Sequence, residues 1–122
     1  MKQEDKDLLL RDLCARLPYG VKGVEANTLC SLNTVTRFKS IVKNIEYKIE
    51  HLGFKPYLFP LSSMTEEQSM EFALLQVNTH KDGFLYVCDC ANMMKWLLKN
   101  HFDIYGLIEK GLAINATNLE IY

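Results

Sequence analysis

The sequence predicts a single α+β domain over residues 1–122: an N-terminal helix, a small curved antiparallel sheet or SH3-like barrel, then two helices and an extended tail. Three observations predict this class. A helical pattern opens the chain, residues 19–60 are rich in β-branched and aromatic side chains, and two further helical patterns lie within residues 61–122. The 122 residues have the length of one domain, and the 48% hydrophobic content argues against a disordered chain.

The first element is an amphipathic helix over residues 5–17, where apolar residues recur at helical spacing with charges between them. Pro18, followed by Gly20, ends this helix, because proline cannot continue it and glycine favours a turn. The apolar face consists of Leu9, Leu10, Leu13, Cys14 and Leu17.

Residues 19–60 form the predicted β region, with four or five short strands. Residues 42–49 are interpreted as a hairpin, because Ile45, Tyr47 and Ile49 alternate with charged residues as in a half-buried strand. A helix over residues 40–52 is the alternative, since isoleucines at positions 41, 45 and 49 also have helical spacing.

A second helix is predicted to begin after Thr65, whose pairing with Gln68 fits a capping box; Ser63 with Glu66 fits the same template. We expect it to run to about residue 77. Its core-facing residues are predicted to be Met70, Leu74 and Val77, with help from Phe72 or Ala73.

The last third of the chain contains a short predicted strand over residues 84–87 and a third helix capped by Asp89. Trp96 is assigned to the core instead of an interface. The tail is predicted to make a helical turn, stop at Gly111, and fold residues 112–114 back against the Trp96 face. The apolar face of the third helix includes Met93, Met94, Trp96 and Leu97.

The composition and the absence of an export pattern favour a cytoplasmic protein. The formal net charge is −1, so no polyanionic partner is required. The polar N-terminus has no signal-peptide pattern and no apolar run could cross a bilayer, so we expect no membrane association. The four cysteines are then expected to remain thiols in a reducing compartment.

Metal and catalytic sites are not expected. Cys88 and Cys90 are separated by one residue, whereas structural zinc sites usually space paired cysteines more widely. Nucleophile elbows, zinc-protease helices and glycine-rich phosphate loops are absent from the sequence. We therefore predict no cofactor, no metal and no catalytic residues.

The β region is the basic part of the chain. Residues 19–60 carry six basic and three acidic side chains, a net charge of +3, which leaves −4 on the remainder. Small β-barrels bind single-stranded nucleic acid through a basic groove with stacking aromatic rings. The candidate residues for this alternative function are Lys22, Arg37, Lys39, Lys43 and Lys48, with Phe38 and Tyr47.

Three stretches together resemble a family of small uncharacterised proteins of gut anaerobes, often encoded in prophages and other mobile elements. They are LCARLPYGV at residues 13–21, KPYLFPLSSMTEE at 55–67, and HFD at 101–103 with GLIEKGLA at 106–113. The resemblance implies a mobile-element setting and no particular chemistry. The sequence predicts a non-catalytic module with a protein partner. A nucleic-acid-binding accessory protein is the second hypothesis and a cryptic enzyme is the third.

Overall fold

The computed structural model of the chain describes residues 1–25, 28–32, 41–79 and 87–122, and these ranges have an α+β fold. The helices are α1 (Gln3–Arg16), α2 (Ile41–His51), α3 (Glu66–Thr79) and α4 (Val87–Lys99). The strands are β1 (Lys22–Glu25), β2 (Thr28–Ser31), β3 (Lys55–Leu58) and β4 (Ile114–Asn115). Short 3₁₀ turns at Leu17–Tyr19 and Leu61–Ser63 follow α1 and precede α3.

The four strands form an open mixed sheet in the order β2-β1-β3-β4. Strand β1 pairs antiparallel with both β2 and β3, whereas β4 pairs parallel with β3. The expectation of a closed barrel, or of an all-antiparallel sheet, is therefore wrong for the described residues. The reason is that β4 comes from the C-terminal tail, which returns after α4 and adds to the free edge of β3.

Helix α2 replaces the predicted hairpin over residues 42–49, so the strand interpretation is wrong and the helical alternative is confirmed. Ile45 and Ile49 are buried one turn apart, in the part of α2 that packs against α1. Tyr47 lies between them in sequence yet is 43% exposed, as a helix requires and a strand with these three residues on one face forbids. Tertiary packing therefore overrides the β preference of the isoleucines.

The core lies between α1, α2 and the sheet, and it is closed by the turn that follows α4. Pro18 and Gly20 end α1 as expected, and Gly20 has a φ of +77°. Gly111 also has a positive φ, which confirms its predicted role as a stop. The buried hydrophobic residues of this core are Leu9, Leu13, Val21, Leu32, Ile45, Ile49, Phe54, Leu58, Leu107, Leu112 and Ala113.

A buried ion pair lies within α1, and its arginine also bonds to the segment after α4. Asp12 and Arg16 both have fully buried side chains, and the Arg16 Nε donates to the Asp12 Oδ1 at 2.5 Å. The Arg16 Nη2 also donates to the Phe102 carbonyl oxygen. The next residue, Asp103, accepts hydrogen bonds from the backbone nitrogens of Leu107 and Ile108 at 2.9 and 3.0 Å. These contacts hold the end of α4 against the core.

The C-terminal predictions are corrected in two places. Helix α4 begins at Val87, two residues before the predicted cap at Asp89, so Val87 is helical. Residues 84–86 of the predicted strand lie outside the described part of the chain. The tail supplies the two-residue strand β4, but Leu112 and Ala113 pack into the main core, whereas the sequence predicts that they lie against the Trp96 face.

Candidate functional site

Helix α3 has apolar side chains on two opposite faces. Gln68, Phe72 and Leu75 are partly buried and follow the i, i+4, i+7 spacing of one face. Met70 and Leu74 lie on the other side of the helix, and they are 64% and 63% exposed. The prediction that these two residues belong to the core is therefore wrong, and Phe72 takes the inward position.

The orientation of α3 is set at its start and by an aromatic column. The predicted capping box is present: the Gln68 backbone nitrogen donates to the Thr65 hydroxyl, and the Thr65 nitrogen donates to the Gln68 side chain. The Phe72 ring stacks on Trp96, with centroids 5.4 Å apart. Trp96 in turn stacks on Phe102 at 5.8 Å, and Phe102 is only 1% exposed. The column therefore ties α3 and α4 to the core through one face of each helix.

An open groove of about 520 Å³ runs between α3 and α4. Leu74, Leu75 and Trp96 supply its apolar surface, and Glu71 and Lys99 stand on its opposite walls. The Trp96 indole nitrogen donates to the Glu71 carboxylate at 3.2 Å. Trp96 is thus half-buried: its ring stacks on both Phe72 and Phe102 in the aromatic column, and the residue also lines the groove. We call the apolar groove surface made by Leu74, Leu75 and Trp96, together with the exposed Met70 one turn before Leu74 on α3, the α3–α4 face.

The rim of the α3–α4 face on the α3 side is acidic. Glu66, Glu67 and Glu71 are all exposed, and α3 contains no lysine or arginine. Glu66 and Glu67 occupy the first turn of α3, where negative charge interacts favourably with the helix dipole. The opposite rim, on α4, carries the exposed Lys95 and Lys99.

The candidate nucleic-acid residues are dispersed where the structure describes them. Lys48 of α2 forms an ion pair with Glu25 of β1. Lys22 lies three positions before Glu25 on the same strand, so the two side chains point to opposite faces of the sheet. The Lys22 ammonium donates to the Ile121 carbonyl at 3.0 Å. These contacts place the two lysines on different faces and give each an acceptor within the chain.

The remaining candidates of that group lie on α2 or outside the described residues. Lys43 and Tyr47 are one turn apart on the exposed side of α2, and Tyr47 packs its ring on His51 at 4.8 Å. Arg37, Phe38 and Lys39 are in the range 33–40, which the structure does not describe.

His101 is the histidine with the most unusual surroundings among the described residues. It has a φ of +63° and stacks on Tyr122, with ring centroids 3.5 Å apart. Burial, aided by the charges of Arg16 and Lys22, lowers its pKa to about 4. The Tyr122 hydroxyl donates to the Tyr57 carbonyl oxygen at 2.9 Å and accepts a hydrogen bond from the Lys22 backbone nitrogen at 3.0 Å. This arrangement fastens the C-terminal segment to β1 and β3.

The described part of the chain contains no cluster of side chains suited to bind a metal ion. Burial, with a smaller effect of Glu46, raises the pKa of the Cys14 thiol, which lies against the core as the sequence predicts. Within the described ranges, no three His, Cys, Asp or Glu side chains converge on a possible metal position. The side chains of Cys88 and Cys90 lie outside the described residues. None of the helices in those ranges is both long and apolar enough to span a membrane.

Comparison of the chain with protein-family models, with curated proteins and with solved structures finds no match.

The exposure of the α3–α4 face could not be predicted from the spacing of apolar residues alone. One signal was present in the sequence: α3 has apolar residues at positions 70, 72, 73, 74, 75 and 77, which surround the helix instead of marking one side. A helix that is apolar all round must be covered on more than one side.

Proposed function

We propose that the protein is a non-catalytic binding module that docks a protein partner on the α3–α4 face. The observation that carries this proposal is the exposure of Leu74, at 63%, in the groove that Trp96 also lines, with Met70, 64% exposed, one turn before Leu74 on α3. Large apolar side chains that cluster on the surface of a small domain commonly mark an interaction site. Methionine and tryptophan are also enriched where partners bind.

The rigidity of the site supports the same function. Trp96 is held by Phe72 and Phe102 on the aromatic column and by a hydrogen bond to Glu71. A side chain that is already fixed in position loses little conformational entropy when a partner covers it. Trp96 therefore has two roles. It supports the fold through the aromatic column, and it is a large aromatic residue at an apolar groove, as binding hot spots often are.

The nucleic-acid hypothesis has weaker support, because Lys48 is paired with Glu25 and Lys22 is engaged with the C-terminal segment. The mobile-element setting and the cytoplasmic location belong to this proposal as well, and the mobile-element setting rests on the sequence motifs at residues 13–21, 55–67, 101–103 and 106–113.

The proposal is tested by site-specific photocrosslinking in the cells that express the protein. A photoreactive phenylalanine at position 74 should crosslink to one defined protein. The matched control is position 42, because Val42 is also an exposed hydrophobic residue, 44% accessible, but lies on α2. Crosslinks that are absent at both positions, or identical at both, contradict docking on the α3–α4 face.

A charge substitution provides the energetic test. Leu74→Asp should weaken the crosslinked complex by about 2 kcal/mol, or about thirtyfold in Kd, as expected for a buried hot spot. Val42→Asp should leave the Kd within about twofold, since isolated surface substitutions have small effects. Circular dichroism melts of both variants establish that the fold is retained.

A further inference from the structure

We infer that the segment docked on the α3–α4 face is a cationic amphipathic helix. The inference rests on the proposed function and specifies the chemistry of its partner. It is carried by three features: the groove between two helices, the exposed Leu74 that lines it beside Leu75 and Trp96, and the three exposed glutamates on α3.

The groove favours a helix over an extended strand. Both of its walls are α-helices, whose central backbone groups are already hydrogen-bonded within each helix. A docked strand would therefore find few backbone partners for its own N–H and C=O groups, which must be satisfied when they are buried. A helix satisfies these groups internally and presents only side chains. Its apolar residues at i, i+3, i+4 and i+7 can then enter the groove beside Leu74 and Trp96.

The charge of the rim selects a cationic helix. Glu66 and Glu67 lie one turn before Met70 and Glu71, and all three glutamates are exposed without a basic residue on α3. A partner helix with lysine or arginine beside its apolar stripe would bring these positive charges next to the three glutamates of α3. A second copy of this chain, docked through α3, would instead bring two acidic rims into the same interface.

Lys99 on the opposite wall restricts where the positive charges of the partner can lie. It repels cations on its own side of the groove, so the basic residues must occupy the flank of the docked helix that faces α3. The partner is therefore specified by an apolar stripe and by a basic flank on one side of that stripe.

The experiment uses Trp96, the single tryptophan of the chain, as an intrinsic fluorescent probe within the groove. The ligand is a synthetic helical peptide of leucine and lysine, about as long as the 14-residue α3, with leucines at i, i+3, i+4 and i+7. Its twin has glutamate at every lysine position. We expect the lysine peptide to change the Trp96 emission and to bind about tenfold more tightly than the glutamate peptide.

Charge reversal on the rim tests which residues are responsible. Glu66→Lys with Glu67→Lys should remove the preference for the lysine peptide. The control, Glu4→Lys with Asp5→Lys, makes the same charge change in the first turn of α1 and should leave the preference intact. Added salt should weaken binding to the native protein, since the contacts are exposed to solvent.

Several results would overturn the inference and leave the docking proposal standing. They are equal affinity for the two peptides, an equal effect of the two charge reversals, or a dimer in sedimentation that Leu74→Asp dissociates. Absence of any fluorescence response to the lysine peptide also refutes the inference. Docking itself is refuted separately, by the absence of crosslinks at position 74.

Discussion

The buried ion pair of α1 is a contact whose loss should cost much of the stability of the domain. Asp12 and Arg16 are both fully buried, and Arg16 also donates to the Phe102 carbonyl. Arg16→Ala would leave the Asp12 carboxylate and the Phe102 carbonyl buried without this donor. Breaking a buried pair in this way costs about 3–5 kcal/mol. A domain of this size is stable by only about 5–15 kcal/mol, so the variant should be marginally folded.

Urea denaturation followed by circular dichroism measures the free energy of unfolding. The matched control is Arg11→Ala, an exposed arginine of the same helix, which should change it by less than about 0.5 kcal/mol. The double variant Asp12→Leu with Arg16→Met should recover much of the loss, because it removes both charges and fills the space. If Arg16→Ala costs no more than Arg11→Ala, the pair does not support the fold as argued.

Two further predictions concern the sheet and the C-terminal segment. Gly23→Ala would place a Cβ 2.5 Å from both the Lys55 carbonyl oxygen and the Phe54 ring. The substitution should therefore destabilise the protein by about 1–3 kcal/mol, measured by thermal melts. An unchanged Tm would contradict this packing. The pKa of His101 is lowered to about 4, below its unfolded value of about 6.5, so the unfolded state takes up the proton first and stability falls as pH decreases between those values. Allowing for the partial exposure of the ring, the loss should be about 1–2 kcal/mol, and His101→Asn, which tolerates the positive φ, should flatten this part of the pH profile. An unaltered profile in His101→Asn would show that another group is responsible.

The elements defined by local signals were predictable from the sequence. Helix α1 has a regular apolar face and is followed by Pro18 and Gly20, and the capping box of α3 is encoded by Thr65 and Gln68. In both cases the residues that determine the structure are close together in the chain. Sequence patterns therefore report on them directly.

Elements defined by distant contacts were predicted less well. Residues 42–49 satisfy both a strand and a helix pattern. The helix forms because Ile45 and Ile49 pack into the core with α1, which ends about thirty residues earlier in the chain. The tail was recognisable as extended, but nothing local indicates that Ile114 pairs parallel with Tyr57 of β3. Such pairings depend on where α4 delivers the chain, which composition and spacing do not contain.

The α3–α4 face illustrates why the candidate site escaped prediction from the sequence. Met70 and Leu74 have the spacing of a core stripe, and so do Phe72 and Leu75 on the other side of α3. Spacing alone does not show which of the two faces of α3 is buried. The aromatic column determines it, since Phe72 stacks on Trp96 and the Met70 side is left exposed to solvent. The same choice that completes the fold therefore creates the exposed apolar surface on which we propose that a partner docks.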